Sequence, residues 1–108
     1  MPNDHAIDRL FATIAARTTA DAGTSYTAKL LKEGVERCAK KFGEEAVEAV
    51  IAAVSGKKDA TVAESADVLY HLLVLWAACG IRPEEVYAAL AARENRSGLE
   101  EKASRGGG

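Results

Sequence analysis

Aromatic residues make up only 6% of this 108-residue chain, which has two prolines, two cysteines and one tryptophan. Each scarcity excludes something. Pro2 and Pro83 both lie outside the apolar-periodic stretches, so long helices run uninterrupted. Cys38 and Cys79 have no second pair beside them. That rules out a zinc knuckle of paired cysteines and argues against a disulfide framework, leaving reduced, buried thiols as the expected state. Positive charge is not in excess, with 14 Lys and Arg against 16 Asp and Glu and a net charge of -2. A polyphosphate backbone would go unneutralised, so no nucleic-acid polymer is expected as partner. Asp8 and Arg9 place charge where a signal peptide needs an apolar region. The longest strongly apolar stretch, residues 68–81, contains His71 and falls short of the ~20 residues of a membrane span. A cytoplasmic protein with no membrane partner is the expectation.

Alanine fills the gap that the aromatics leave: there are 22 Ala against 23 Leu, Ile, Val and Phe together. Alanine favours helix but buries little area, so a chain of this length makes a thin core alone and is expected to share one in an oligomer. Breakers divide the chain plainly. Ile7, Leu10, Phe11 and Ile14 recur at helical spacing within residues 4–17. A small polar loop covers 18–24, and Ser25 reads as the N-cap of a helix over 26–32. Gly34 breaks the chain before a long helix over 35–54, closed by Ser55 and Gly56. Asp59 reads as the cap of a helix over 60–79, ended by Gly80, and Pro83 starts a last helix to about 95. No β-period and no internal repeat is visible. The expected fold is all-α, an antiparallel bundle of four to five helices within a single domain at 1–96, with a disordered tail at 97–108. Residues 66–78 are apolar nearly all round. A helix of that kind is covered on every side, here by a dimer interface or as the central helix of a monomeric bundle.

The strongest chemical signal is Glu44-Glu45-x-x-Glu48, followed after fifteen residues by Glu64-x-x-Asp67. At ~100° per residue the first three share one sector of a helix, beside the apolar stripe of Val47, Val50, Ile51 and Val54, which reads as core-facing. The turn over 55–59 is short, so the two helices form a hairpin, and at ~1.5 Å per residue Glu48 and Glu64 reach similar heights. Two unit charges about 4 Å apart repel by ~4 kcal/mol at an effective dielectric of about 20, so five facing acids call for a cation between them. Oxygen-only ligands suit Mg2+, with Mn2+ as substitute, and not zinc. The same spacing also allows a solvated acidic face, with Lys40 and Lys41 paired to Glu44 and Glu45.

EExxE followed by ExxD on adjoining helices resembles the magnesium motif of the all-α nucleoside triphosphate pyrophosphohydrolases, the MazG-like superfamily. Ser25-Tyr26-Thr27-Ala28-Lys29-Leu30-Leu31, then Lys40-Lys41-Phe42-Gly43-Glu44-Glu45, then Glu64 to Leu75 are similar to the phosphoribosyl-ATP pyrophosphohydrolase family. The likeness covers about 7–93 with its three motifs in order. It implies a magnesium-dependent homodimer that hydrolyses a small-molecule nucleotide, phosphoribosyl-ATP, to phosphoribosyl-AMP and pyrophosphate, the second step of histidine biosynthesis. It also implies Glu45, Glu48, Glu64 and Asp67 as metal ligands, with Glu44 and Glu45 at the chemistry and Glu44 orienting or deprotonating water. The cyclohydrolase domain fused to some members is not expected here.

Phosphate oxygens beyond the metal's reach want Lys or Arg. The candidates are Lys29, Lys41, Arg37 and Arg93, with Arg96 close behind, and Ser25, Tyr26 and Thr27 offer hydroxyls to the substrate. Helix-end basic residues and an N-cap serine also have purely structural uses. His71, four residues after Asp67, is expected to hydrogen-bond that carboxylate from behind. Tyr70, Trp76 and Tyr87 read as core or interface residues. Two further readings stay open on the residues alone: a housekeeping nucleoside triphosphate pyrophosphohydrolase with the same metal site, and a non-enzymatic helical dimerisation module.

Overall fold

The computed structural model describes residues 5–19 and 25–94. Five helices follow in order, α1 (Ala6–Ala16), α2 (Tyr26–Glu33), α3 (Val35–Val54), α4 (Lys58–Cys79) and α5 (Pro83–Arg93), with a 3-10 turn at Arg17–Thr19. Among the described residues there is no strand, so the all-α expectation holds. The expected tail at 97–108, Arg96 and most of the 18–24 loop lie outside the described residues.

Local chemistry sets the boundaries. The Ser25 hydroxyl accepts the Ala28 N–H at 3.1 Å and starts α2, as its position in the sequence implies. At the other end of α2, Gly34 takes φ 100°, a value that side-chain-bearing residues avoid, and its N–H donates to the carbonyls of Leu30 and Leu31. α3 can then begin at the next residue. α1 starts at Ala6 rather than at 4, because the His5 imidazole accepts the Ile7 N–H at 3.1 Å. α4 starts at Lys58 rather than at 60, and Asp59 is not its cap. Lys57 occupies that place, its carbonyl receiving both the N–H and the hydroxyl of Thr61 at 2.9 and 2.8 Å. Asp59 sits in the first turn, where negative charge suits the helix N-terminus. α5 opens on Pro83 as expected, with the Glu85 carboxylate accepting the Arg82 N–H at 2.9 Å, and ends at Arg93, short of 95.

α3 and α4 form the expected hairpin, closed by Gly56 at φ 74° and by the Lys57 N–H on the Ala52 carbonyl at 3.3 Å. α2 lies against α3 where the Cys38 thiol donates to the Leu30 carbonyl at 3.3 Å. α5 is tied to α1 by the Tyr87 hydroxyl, which donates to Asp8 at 2.9 Å. The core is small, as the alanine count implies: Ile14, Leu30, Cys38, Leu73 and Val74, with Ile7, Leu10, Phe11, Tyr70 and Trp76 packed against it.

Two expectations about burial fail. Cys79 is exposed, and only Cys38 is a buried thiol. The stripe predicted to face the core, Val47, Val50, Ile51 and Val54, is 58%, 61%, 59% and 84% exposed. The packed face of α3 is instead the one carrying Cys38 and Ala52, roughly half a turn away. A single chain has one apolar helix, α4, to cover and spends one face of α3 doing so. α4 itself is long and apolar enough to cross a membrane by length and composition, because its alanines lengthen the stretch counted as 68–81.

Candidate active site

The hairpin brings three of the five predicted acids together. Ligand oxygens of Glu45 and Glu48 on α3 and Glu64 on α4 lie within 4.8 Å of one another. Residues 45 and 48 are neighbours one turn apart, and the turn at 55–57 sets α4 so that Glu64 meets them at the same height. Glu64 is the inner member, and its Oε1 is buried with no hydrogen-bond partner among the described residues. Burial first, then the charges of Glu48, Asp67 and Glu45, push its carboxyl above the ordinary glutamate value. Asp67 is exposed one turn further along α4 and reaches Glu64 through charge.

The raised Glu64 value makes a stability prediction. A carboxyl that titrates higher folded than unfolded contributes stability below its unfolded value, and loses it as pH rises through its folded one. In EDTA the chain is therefore expected to become less stable to urea as pH rises through and above the ordinary carboxylate range. Glu64→Gln should flatten that slope. A chain whose urea midpoint rises over the same interval, with the variant behaving alike, would contradict the charge assignment.

Glu44 stands outside the cluster. Lys41 pairs with it at 3.4 Å, not with Glu45, so the lysine pairing expected of a solvated acidic face leaves Glu45 to the carboxylates. The charge of ionised Tyr26, followed by the hydrogen bond with Glu44, raises the Lys41 ammonium above its ordinary value. Arg37 is drawn the other way and pairs with Glu33 at 3.4 Å. Lys29 is exposed on α2, and Arg93 ends α5, the helix docked on α1.

The three hydroxyl candidates divide. Ser25 and Thr27 are buried and used within the fold, Ser25 as a cap and Thr27 in a hydrogen bond with the Tyr70 hydroxyl. Tyr26 is the exposed one. His71 does not bond the Asp67 carboxylate as expected. Its Nδ1 lies 2.9 Å from the Asp67 backbone carbonyl, an acceptor only, so Nδ1 carries the proton and donates. Nε2 lies 3.3 Å from the Tyr26 hydroxyl and pairs with it, as acceptor in the tautomer that carries its proton on Nδ1. The imidazole is buried and meets Tyr26 and Tyr70 edge-on, at ring distances of 6.1 and 5.0 Å. It thus fixes the one exposed hydroxyl of the three, and the i to i+4 spacing of residues 67 and 71 gave the correct partner residue but the wrong atom.

Oxygen donors from both helices of an antiparallel hairpin, beside a lysine-bearing rim, are the arrangement expected from the resemblance to the all-α MazG-like pyrophosphohydrolases. Comparison with known proteins narrows the class. The family model described as Phosphoribosyl-ATP pyrophosphohydrolase matches residues 7–94, and the chain belongs to that family. A Parvibaculum lavamentivorans protein named phosphoribosyl-ATP pyrophosphatase is 66% identical over 100 residues, covering 93% of this chain and 92% of that one. Proteins of the same name from Roseobacter denitrificans and Paracoccus denitrificans are 58% identical over 99 residues and 56% over 104. They cover 92% and 96% of this chain, and 94% and 96% of their own lengths.

Proposed function

We propose that this chain hydrolyses phosphoribosyl-ATP to phosphoribosyl-AMP and pyrophosphate, the second step of histidine biosynthesis, at a divalent cation held by Glu45, Glu48 and Glu64. The observation that carries the site assignment is the buried Glu64 oxygen, unpartnered among the described residues, amid two further carboxylates. An acceptor in that state fits a cation, and the all-oxygen set fits Mg2+ or Mn2+. Asp67 completes the ligand set from the exposed side. When bound, the cation supplies charge neutralisation on the phosphates and acidifies water.

The chain's own residues do the rest. Glu44, kept on the rim by Lys41, accepts a hydrogen bond from the attacking water and orients it toward the α-phosphorus. Lys41 turns its remaining donors to phosphate oxygens, where a compact ammonium acts as a point charge. Tyr26 meets the substrate with a hydroxyl whose direction His71 fixes. Lys29 adds positive charge from α2. Positioning and charge stabilisation of this kind are most of what phosphoryl-type transfer requires.

The working unit is a homodimer in the cytoplasm. The exposed valines and isoleucine of α3 support the dimer, because they form one apolar face that a second copy can cover.

A substrate panel tests the reading. Purified protein in Mg2+ is given phosphoribosyl-ATP, ATP and dCTP in parallel, and pyrophosphate release is followed. Phosphoribosyl-ATP is expected to be the preferred substrate, with no turnover in EDTA. Preference for ATP or dCTP would replace the pathway enzyme by a housekeeping pyrophosphohydrolase.

A further inference from the structure

Beside the carboxylates, on the side of the hairpin turn, lies a cavity of about 280 Å³ lined by Glu48, Glu64, Ser55 and Lys57 together with Ile51, Ala52 and Ala60. Among the described residues lining it, Lys57 is the one cation. Its backbone is held at both ends: the N–H closes α3 on the Ala52 carbonyl, and the carbonyl caps α4 through Thr61. Its side chain caps nothing and makes no ion pair among the described residues. A fixed stem with an unengaged ammonium thus stands at a cavity that two ligand carboxylates share. The volume is below the ~300–1,000 Å³ of pockets that hold drug-sized molecules, so it suits a fragment of the nucleotide and not the whole. The fragment that needs a cation is the one that gathers charge as the anhydride bond breaks.

We propose that Lys57 binds the pyrophosphate leaving group in this cavity, a role that rests on the pyrophosphohydrolase reading above. The substrate then lies across the carboxylates with its β and γ phosphates toward the hairpin turn, and the phosphoribosyl-AMP part toward Lys41 and Tyr26. Lys57 is counter-charge on the leaving side and Lys41 on the retained side. Nothing in the spacing of the acids marks Lys57, which reads in the sequence as a basic residue following a helix end.

Product inhibition separates the two sides. The parent, Lys57→Gln and Lys57→Arg are assayed on phosphoribosyl-ATP in Mg2+ with added pyrophosphate or added phosphoribosyl-AMP. Loss of one charge-assisted hydrogen bond weakens binding by about tenfold or more, so Lys57→Gln is expected to raise the inhibition constant of pyrophosphate by that factor. Inhibition by phosphoribosyl-AMP should be unchanged, and Lys57→Arg should restore most of the loss. Unchanged pyrophosphate inhibition in Lys57→Gln, or equal weakening for both products, would overturn the assignment. A parent chain that releases no pyrophosphate from phosphoribosyl-ATP would overturn the functional reading, and the role of Lys57 with it.

Discussion

Glu48→Ala is expected to lower kcat on phosphoribosyl-ATP by roughly a thousandfold, the several kcal/mol that a correctly held divalent cation contributes to charge stabilisation. The same change should make the chain more stable, not less, when no cation is present. Glu48 is half of the α3 contribution to a cluster whose members lie within 4.8 Å, and its charge is the first of the neighbours that push Glu64 upward. Removing it relieves repulsion in the empty cluster and costs no packing, since the side chain is exposed. Mg2+ should raise the melting temperature of the parent by mass action and do little for the variant. Glu48→Gln, which keeps the shape, should match it in both respects. Near-parental turnover in either variant at saturating Mg2+ would remove Glu48 from the site. A variant that unfolds in EDTA would show that the carboxylate supports the fold.

Ile51→Asp should abolish the proposed dimer and lower the melting temperature of the assembly. Val47, Val50, Ile51 and Val54 occupy one face of α3, all more than half exposed in the single chain. Burying the exposed part of these side chains stabilises by about 25 cal/mol per Å² of apolar area, and a two-fold interface counts each residue twice, so the face offsets part of the cost of association. A carboxylate at its centre would be buried unpaired, and the association constant is expected to fall by at least about 100-fold. Sedimentation of parent and variant over a concentration series reads this directly. Sedimentation rather than activity is the readout, because Ile51 also lines the cavity beside Glu48 and Glu64. A parent that sediments as a monomer at all concentrations would contradict the assembly.

Much of this was legible in the sequence, for reasons that can be named. The hairpin, the all-α class and the meeting of Glu45, Glu48 and Glu64 follow from helical spacing plus one short turn, both local properties. What failed depends on information a single sequence does not carry. The periodicity of Val47, Val50, Ile51 and Val54 shows an apolar face but not whether the chain itself or a second copy covers it. His71 was placed beside Asp67 correctly, yet the choice between carboxylate and carbonyl turns on side-chain direction, and a helical i to i+4 bond to the backbone satisfied the ring first. Lys41 was paired by spacing with Glu45, whereas the structure pairs it with Glu44. Three-residue and four-residue spacings both bring side chains together on a helix, so spacing alone does not choose between them. Asp59 failed as a cap because Lys57, fixed by the closing turn of α3, already filled that position.

In the proposed mechanism the cluster of Glu45, Glu48 and Glu64 holds the divalent cation at which the anhydride is cleaved. Anomalous scattering from crystals of the parent soaked in Mn2+ tests it most directly. A peak is expected within coordination distance of all three carboxylates, including the buried Glu64 oxygen, and no such peak in Glu48→Ala. A chain that turns over phosphoribosyl-ATP with Mn2+ while its crystals show the ion bound elsewhere, or bound without Glu64, would contradict it.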